Sequence, residues 1–251
     1  LHSFPTRRSS DLHDPFPHTG EERGNYRRRY ESAIKGSNGY VLLNEKQKLQ
    51  FCETYNVNLA KVLINRLGIY DIVRTFVKSD TKPLPNNVLF FGRISPYKGI
   101  EYLCEAMRIV RQAVPDAILT IAGGGKMYFD IEPYKQLGYI EVINHYVGME
   151  ELAELLSRCT LSVCPYTDAT QSGVIMTSFS LCKPIVATNV GGLGEMIDEG
   201  KSGLLVPPKD SKALADAIIE LLIDKKKLTN MSEYIRQEYE QGDRRSEEHT
   251  S

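Results

Sequence analysis

The chain has 251 residues, 41% of them hydrophobic and 25% charged, with a formal net charge of −1. That balance fits a globular protein; it offers no basic excess for nucleic acid and no apolar run of the roughly 18 residues that a membrane span requires. The five cysteines (Cys52, Cys104, Cys159, Cys164, Cys182) form no C-x-x-C pair, and four sit in apolar segments, which reads as reduced core thiols of a cytosolic protein.

The chain opens Leu1-His2-Ser3-Phe4-Pro5-Thr6-Arg7-Arg8-Ser9-Ser10-Asp11-Leu12, without an initiator Met, and closes Arg245-Ser246-Glu247-Glu248-His249-Thr250-Ser251. Both stretches look like in-frame translations of sequencing adapters. Residues 1–12 and 245–251 are therefore set outside the fold, and 13–244 read as a fragment of a longer gene product. Residues 13–77 contain a strand in Asn38–Leu43, a helix over Glu45–Tyr55 and a short apolar run at Val62–Ile64. One and a half βα units bury too little to stand alone, so this segment is expected to end a preceding domain. Residues 78–87, rich in turn formers, read as a linker.

From Val88 to residue 244 strands and helices alternate. Val88–Phe91 is a continuous apolar run, as in a parallel strand covered on both faces, and Ile100, Leu103, Met107 and Val110 follow at helical spacing. Strands are expected at Ala117–Ala122, near Ile143, at Leu161–Cys164, Pro184–Thr188 and Gly203–Val206. Helices are expected around Leu152, Leu155 and Leu156, over Gln171–Leu181, and after a cap at Asp210 or Ser211. The pattern predicts an α/β, Rossmann-like, doubly wound parallel sheet.

In such a sheet ligands bind beyond the carboxyl ends of the strands. Gly92 and Arg93 follow one of those ends, with Lys98 five residues on. A guanidinium fork and an ammonium suit the oxygens of a diphosphate, and both can stabilise negative charge on a departing nucleoside diphosphate. Ala169-Thr170-Gln171-Ser172-Gly173-Val174 opens a helix, where backbone N–H groups favour an anion and Gly173 permits close approach. Lys183-Pro184-Ile185-Val186-Ala187-Thr188-Asn189-Val190-Gly191-Gly192 sends a buried strand into a di-glycine loop. Gly123-x-Gly125 lacks the third glycine of a dinucleotide fingerprint, since Tyr128 stands there, and Gly125-Lys126 is followed by Met127 where a P-loop needs Ser or Thr. Those glycines make either a turn near ligand or a plain tight turn. His145, beside Tyr146, either stacks on a nucleobase or is a satisfied loop histidine. His13 and His18 have no standard metal-ligand spacing, so no metal is expected.

Gly92-Arg93-x4-Lys98-Gly99, the Pro165 turn with its Ala-Thr-Gln-Ser-Gly-Val, the Lys183–Gly192 run and Gly203-Leu204-Leu205-Val206-Pro207-Pro208 together resemble the retaining glycosyltransferases of family four, also called group one. The resemblance spans about residues 13–240 and implies the GT-B fold, two Rossmann-like domains facing each other across a cleft. It implies a sugar transferred from a nucleoside diphosphate to a hydroxyl of a glycan or lipid-linked glycan, without metal or cofactor. By that comparison Arg93 and Lys98 hold the donor diphosphate, and His13 matches the histidine that the N-terminal domain lends to the cleft. Gly92, Gly173, Val174, Thr177, His145 and Tyr146 complete the expected donor set. Many members carry two glutamates near the second helix, at positions that the comparison places at Ala169 and Thr177; Thr170, Gln171, Ser172 and backbone amides are expected to take over. The implied enzyme is bacterial, cytosolic or peripheral to the membrane through its N-terminal domain. The fragment is expected to bind donor without transferring it. A GT-B sugar-nucleotide epimerase and a non-catalytic nucleotide-binding module are the alternatives.

Overall fold

The computed structural model describes residues 9–11 and 26–248, with two parallel sheets. The smaller sheet joins β1 (Ser9–Asp11), β2 (Gly39–Leu42) and β3 (Val62–Ile64), in that order. Two helices accompany it, α1 (Tyr26–Lys35) and α2 (Glu45–Tyr55). Their shared core is small: Ile34, Tyr40, Leu42, Phe51, Cys52 and Val62. Phe51 packs between Tyr40 and Tyr55, with ring centroids 5.4 and 5.1 Å away. The sequence reading gave neither β1 nor α1. The edge of β2 pairs with an extended backbone whatever its side chains, and among its described side chains α1 turns Tyr30 and Ile34, four residues apart, to the small core.

The larger sheet holds six strands: β4 (Asn87–Phe91), β5 (Ile118–Ala122), β6 (Ile140–Ile143), β7 (Leu161–Cys164), β8 (Ile185–Thr188) and β9 (Gly203–Val206). Their spatial order is β6-β5-β4-β7-β8-β9, all parallel. Counted from β4 this is 3-2-1-4-5-6, the doubly wound order whose topological switch lies between the first and fourth strands. The crossover helices are α3 (Ile100–Ala113), the single turn α4 (Glu132–Lys135), α5 (Met149–Arg158) and α6 (Gly173–Ser180); β8 and β9 are joined through the 3-10 turn Leu193–Glu195, and α7 (Ser211–Ile223) and α8 (Lys225–Glu248) follow the last strand.

Two apolar layers explain the unbroken apolar run of β4. Val88 and Phe90 face one cluster with Ile100, Leu103 and Met107 of α3 and Ile218 and Leu221 of α7. Leu89 and Phe91 face a second cluster with Val73, Ala153 and Leu156. Every side chain of the strand is buried, as a parallel strand covered on both faces requires.

The helix expected from Gln171 begins instead at Gly173, because Ser172 is extended (φ −146°, ψ 113°). Asp210 caps α7, its carboxylate accepting from the Ala213 N–H at 2.9 Å. The 3-10 segment Asp71–Phe76 and α8 escaped the sequence reading. The former buries a single residue, Val73. Among its described side chains, the latter packs Leu228, Met231 and Ile235 inward in a strongly charged helix. No helix among the described residues is long and apolar enough to cross a membrane.

Candidate functional site

The carboxyl ends of β4, β5, β7 and β8 open onto loops that pack backbone against backbone. Beyond β4 the pairing with β5 continues: the Gly92 N–H donates to the Ala122 carbonyl at 2.9 Å, and the Ile94 N–H to that of Gly124 at 3.0 Å. Gly123 has φ +149°, and a Cβ there would stand 1.9 Å from the Gly92 carbonyl oxygen. Gly191 (φ +50°) is as tightly placed, with the Ala169 carbonyl 1.5 Å from an added Cβ. These glycines let four strand ends converge where larger residues would hold them apart.

The switch lies between the β4 and β7 loops. Pro96–Lys98 forms a 3-10 turn, and its Tyr97 carbonyl accepts the Thr167 N–H at 2.8 Å, so the two loops are tied across the switch. Arg93 is exposed at the rim. Lys98 is only 9% exposed; its Nζ lies 3.6 Å from the Tyr166 ring centroid and 4.8 Å from that of Tyr97. A partly desolvated ammonium over aromatic faces is held by about 2 kcal/mol.

Tyr166 is fully buried, and its hydroxyl shares a 3.1 Å hydrogen bond with Ser172 Oγ. Burial foremost, then the neighbouring Cys164, raises its phenol well above the ordinary value. Ser172 is the N-cap residue of α6, yet its side chain caps no helix N–H. Its hydroxyl is instead engaged by Tyr166, which leaves the start of α6 without a side-chain cap. Gly92 faces this helix start, since a Cβ on it would sit 3.6 Å from Val174 Cγ2. The fold therefore links Lys98 through Tyr166 to Ser172 at the switch crevice and sets Gly92 beside Val174, with Thr170 in the turn before α6 and Arg93 exposed on the β4 loop.

Other expected residues lie elsewhere. Thr177 is one turn into α6, its Oγ1 donating to the Gly173 carbonyl at 2.8 Å. Ala169 is 3% exposed and belongs to the core, where a carboxylate would be desolvated. Gln171 lines a separate cleft of about 230 Å³, together with Asn44, Arg66, Met176, Gly192 and Glu195. Its Oε1 is buried there without a hydrogen-bond partner. His145 and Tyr146 follow β6 at the sheet edge. His145 Nε2 is 3.0 Å from each carboxylate oxygen of Glu151, and Tyr146 is 86% exposed. The loop carrying His145 follows β6, two strands from β4, and lies beside the Gly124 turn that follows β5. His13 lies outside the described residues.

Several contributors were not singled out from the sequence. Tyr166 directly follows Pro165, the residue at which the sequence marks a turn. Asn44 precedes a helix and reads as a cap, which it is, with Oδ1 accepting from the Gln47 N–H at 3.0 Å; its reach to the Thr170 carbonyl (2.8 Å) is invisible in sequence. Glu195 accepts from the Glu45 and Lys46 N–H groups, both at 2.9 Å, placing a carboxylate at the N-terminus of α2. Tyr70 lies beside Gly173, 3.2 Å from where a Cβ would be.

A doubly wound α/β sheet takes ligands at its topological switch, and here the switch carries Lys98 and a helix start without a side-chain cap. Residues 73–238 match the family described as glycosyl transferases group 1, and the chain belongs to it. An uncharacterized glycosyltransferase of Methanocaldococcus jannaschii is 31% identical over 53% of this chain and 37% of its own length. The alpha-D-kanosaminyltransferase of Streptomyces kanamyceticus is 31% identical over 61% of this chain and 40% of its own. The chain thus spans well under half the length of these curated relatives. Among solved structures, HepE from Anabaena in complex with UDP-glucose superposes with a TM-score of 0.73 at 17% identity, covering 93% of this chain and 67% of that one. The fold is that of the GT-B glycosyltransferases.

Proposed function

We propose that the parent protein is a retaining glycosyltransferase that moves a sugar from a nucleoside-diphosphate sugar to a hydroxyl of a glycan or lipid-linked acceptor. The observation that carries this reading is the pairing of Lys98 with the uncapped start of α6 across the β4–β7 switch, in a chain of the group 1 family. The diphosphate lies in that crevice. Lys98 and Arg93 neutralise it, and the N–H groups at Gly173 and Val174 face its oxygens. Thr170 and Ser172 border it through the turn before α6.

As the bond from the anomeric carbon to the leaving phosphate breaks, charge grows on the phosphate oxygens. Two cations and a helix start already in place stabilise that charge without reorganising. Burial of Lys98 strengthens its share, because a partly dry site weakens dielectric screening. His145 and Tyr146, at the sheet edge, are assigned to the nucleobase end of the donor, and Gln171 and Thr177 to the side where sugar and ribose hydroxyls lie. His13 is assigned to the acceptor side of the cleft. The segment at 13–77 belongs to the acceptor domain, 78–87 is its linker, and 88–244 is the donor domain.

HepE is solved with UDP-glucose, which makes UDP-sugars the first donors to try. Calorimetric titration of the 251-residue chain with UDP-glucose, alongside chromatography for released UDP, tests the reading. Saturable binding without release is expected of the chain as it stands. No binding of any UDP-, GDP-, ADP- or dTDP-sugar would sink the donor assignment. Steady release of nucleoside diphosphate would sink the view that this chain is donor-binding only.

A further inference from the structure

Asn44 belongs to the smaller sheet's unit and yet ends inside the donor loop. It is 3% exposed. Its Oδ1 accepts the Gln47 N–H at 3.0 Å, and its Nδ2 donates to Gln47 Oε1 at 3.0 Å and to the Thr170 carbonyl at 2.8 Å. The last bond joins residues 126 positions apart. Room for it exists because position 192 is glycine: a Cβ there would stand 2.4 Å from the Thr170 oxygen and 2.7 Å from Asn44 Nδ2. On the same junction, Glu195 caps the first N–H groups of α2. The helix is thereby anchored to the loop after β8 while its cap residue holds the loop before α6.

We propose that Asn44 is a positioning residue: its carboxamide, reaching across from the smaller unit, fixes the turn at residues 169–173 from which α6 starts. This inference rests on the reading of that turn as part of the donor site. The Asn44 amide is suited to the task, since its acceptor oxygen and one amide hydrogen serve its own helix while the second hydrogen serves the other unit. No side chain caps the helix that this turn precedes. Movement of α2 relative to the larger sheet is therefore transmitted to the donor loop through the Asn44 amide. Closure of the two units and ordering of the donor loop become one event.

Two variants separate this role from ordinary helix capping. Asn44→Asp and Asn44→Ser both keep an oxygen able to cap α2. The aspartate, however, has no N–H to offer Thr170, and the serine hydroxyl is too short to span the same gap while capping. Hydrogen exchange read by mass spectrometry on the peptide covering 166–176 should accelerate about tenfold in both, the effect of one lost buried hydrogen bond. Exchange in α2 should stay near wild type. The affinity for UDP should fall by about the same factor. Unchanged exchange at 166–176 in the two variants would overturn the inference, as would acceleration confined to α2. Failure of the wild-type chain to bind UDP, GDP, ADP or dTDP would instead count against the donor assignment of the turn, and the exchange result would still decide whether Asn44 positions it.

Discussion

The ammonium of Lys98 and the ring of Tyr166 meet at 3.6 Å across the point where the strand order of the sheet reverses. One arises from the loop after β4, the other from the loop after β7, and the hydroxyl of the same tyrosine holds Ser172 at the start of α6. A buried aromatic therefore links the cation and the helix start that the account assigns to one diphosphate.

That linkage separates two substitutions at position 166. Tyr166→Phe keeps the ring under Lys98 and deletes the hydroxyl partner of Ser172, a loss of about 1–2 kcal/mol in stability. Tyr166→Leu removes the ring as well and with it about 2 kcal/mol of cation–π attraction. Nucleotide affinity measured by calorimetry should stay within about threefold of wild type in the phenylalanine variant and fall at least tenfold in the leucine variant. Equal affinities would mean that the ring does not place the ammonium.

The convergence of strand ends makes a prediction of its own. Gly123→Ala puts a Cβ where the Gly92 carbonyl stands and forces φ +149° on a side-chain-bearing residue. A loss of about 2–3 kcal/mol is expected, or roughly 5–10 °C in Tm. Gly148→Ala is the control, with nothing within 4 Å of the added carbon. It should melt within about 2 °C of wild type. Similar melting of the two variants would show that the close approach at Gly123 is dispensable.

Much of this was readable in sequence. The unbroken run at Val88–Phe91 announced a strand covered twice, and Asp210 announced the start of α7, because burial on both faces and capping leave local signatures. The roles of Tyr166 and Asn44 did not, since each depends on a partner brought close only by the fold. His145 illustrates the opposite case. Its partner Glu151 is only six positions on, yet the sequence left base stacking and a satisfied loop histidine both open. Ala169 shows the same limit: its burial could be known only once the loop was seen to turn into the core. Short or charged helices such as α1 and α8 hide their inward faces in two or three residues.

The thiols carry a pH signature. Burial foremost pushes Cys104 up to about 12 and Cys159 and Cys164 up to about 11, against an ordinary 9.0. In the unfolded chain these thiols ionise near pH 9, whereas in the folded chain they stay protonated. Their contribution to stability is therefore complete below pH 9 and declines as pH rises through 11. Denaturant midpoints measured from pH 7 to 10.5 should fall above pH 9, and replacing Cys104, Cys159 and Cys164 together by alanine should flatten that fall. Labelling by a thiol reagent at pH 8 should reach Cys182, the one cysteine that is not buried, before the other four. An equal labelling rate at all five would contradict the burial seen here.

The central claim is that the β4–β7 switch takes a nucleoside diphosphate through Arg93 and Lys98. Thermal melting of the chain with UDP, GDP, ADP or dTDP, for wild type and Arg93→Ala, tests it most directly. A nucleotide at 100 times its dissociation constant stabilises by ~2.7 kcal/mol, or roughly 5–10 °C here. The account predicts such a shift with at least one nucleotide and its loss in Arg93→Ala, with both proteins melting at the same temperature when no nucleotide is present. A shift that survives in Arg93→Ala, or no shift with any of the four from a folded protein, would contradict it.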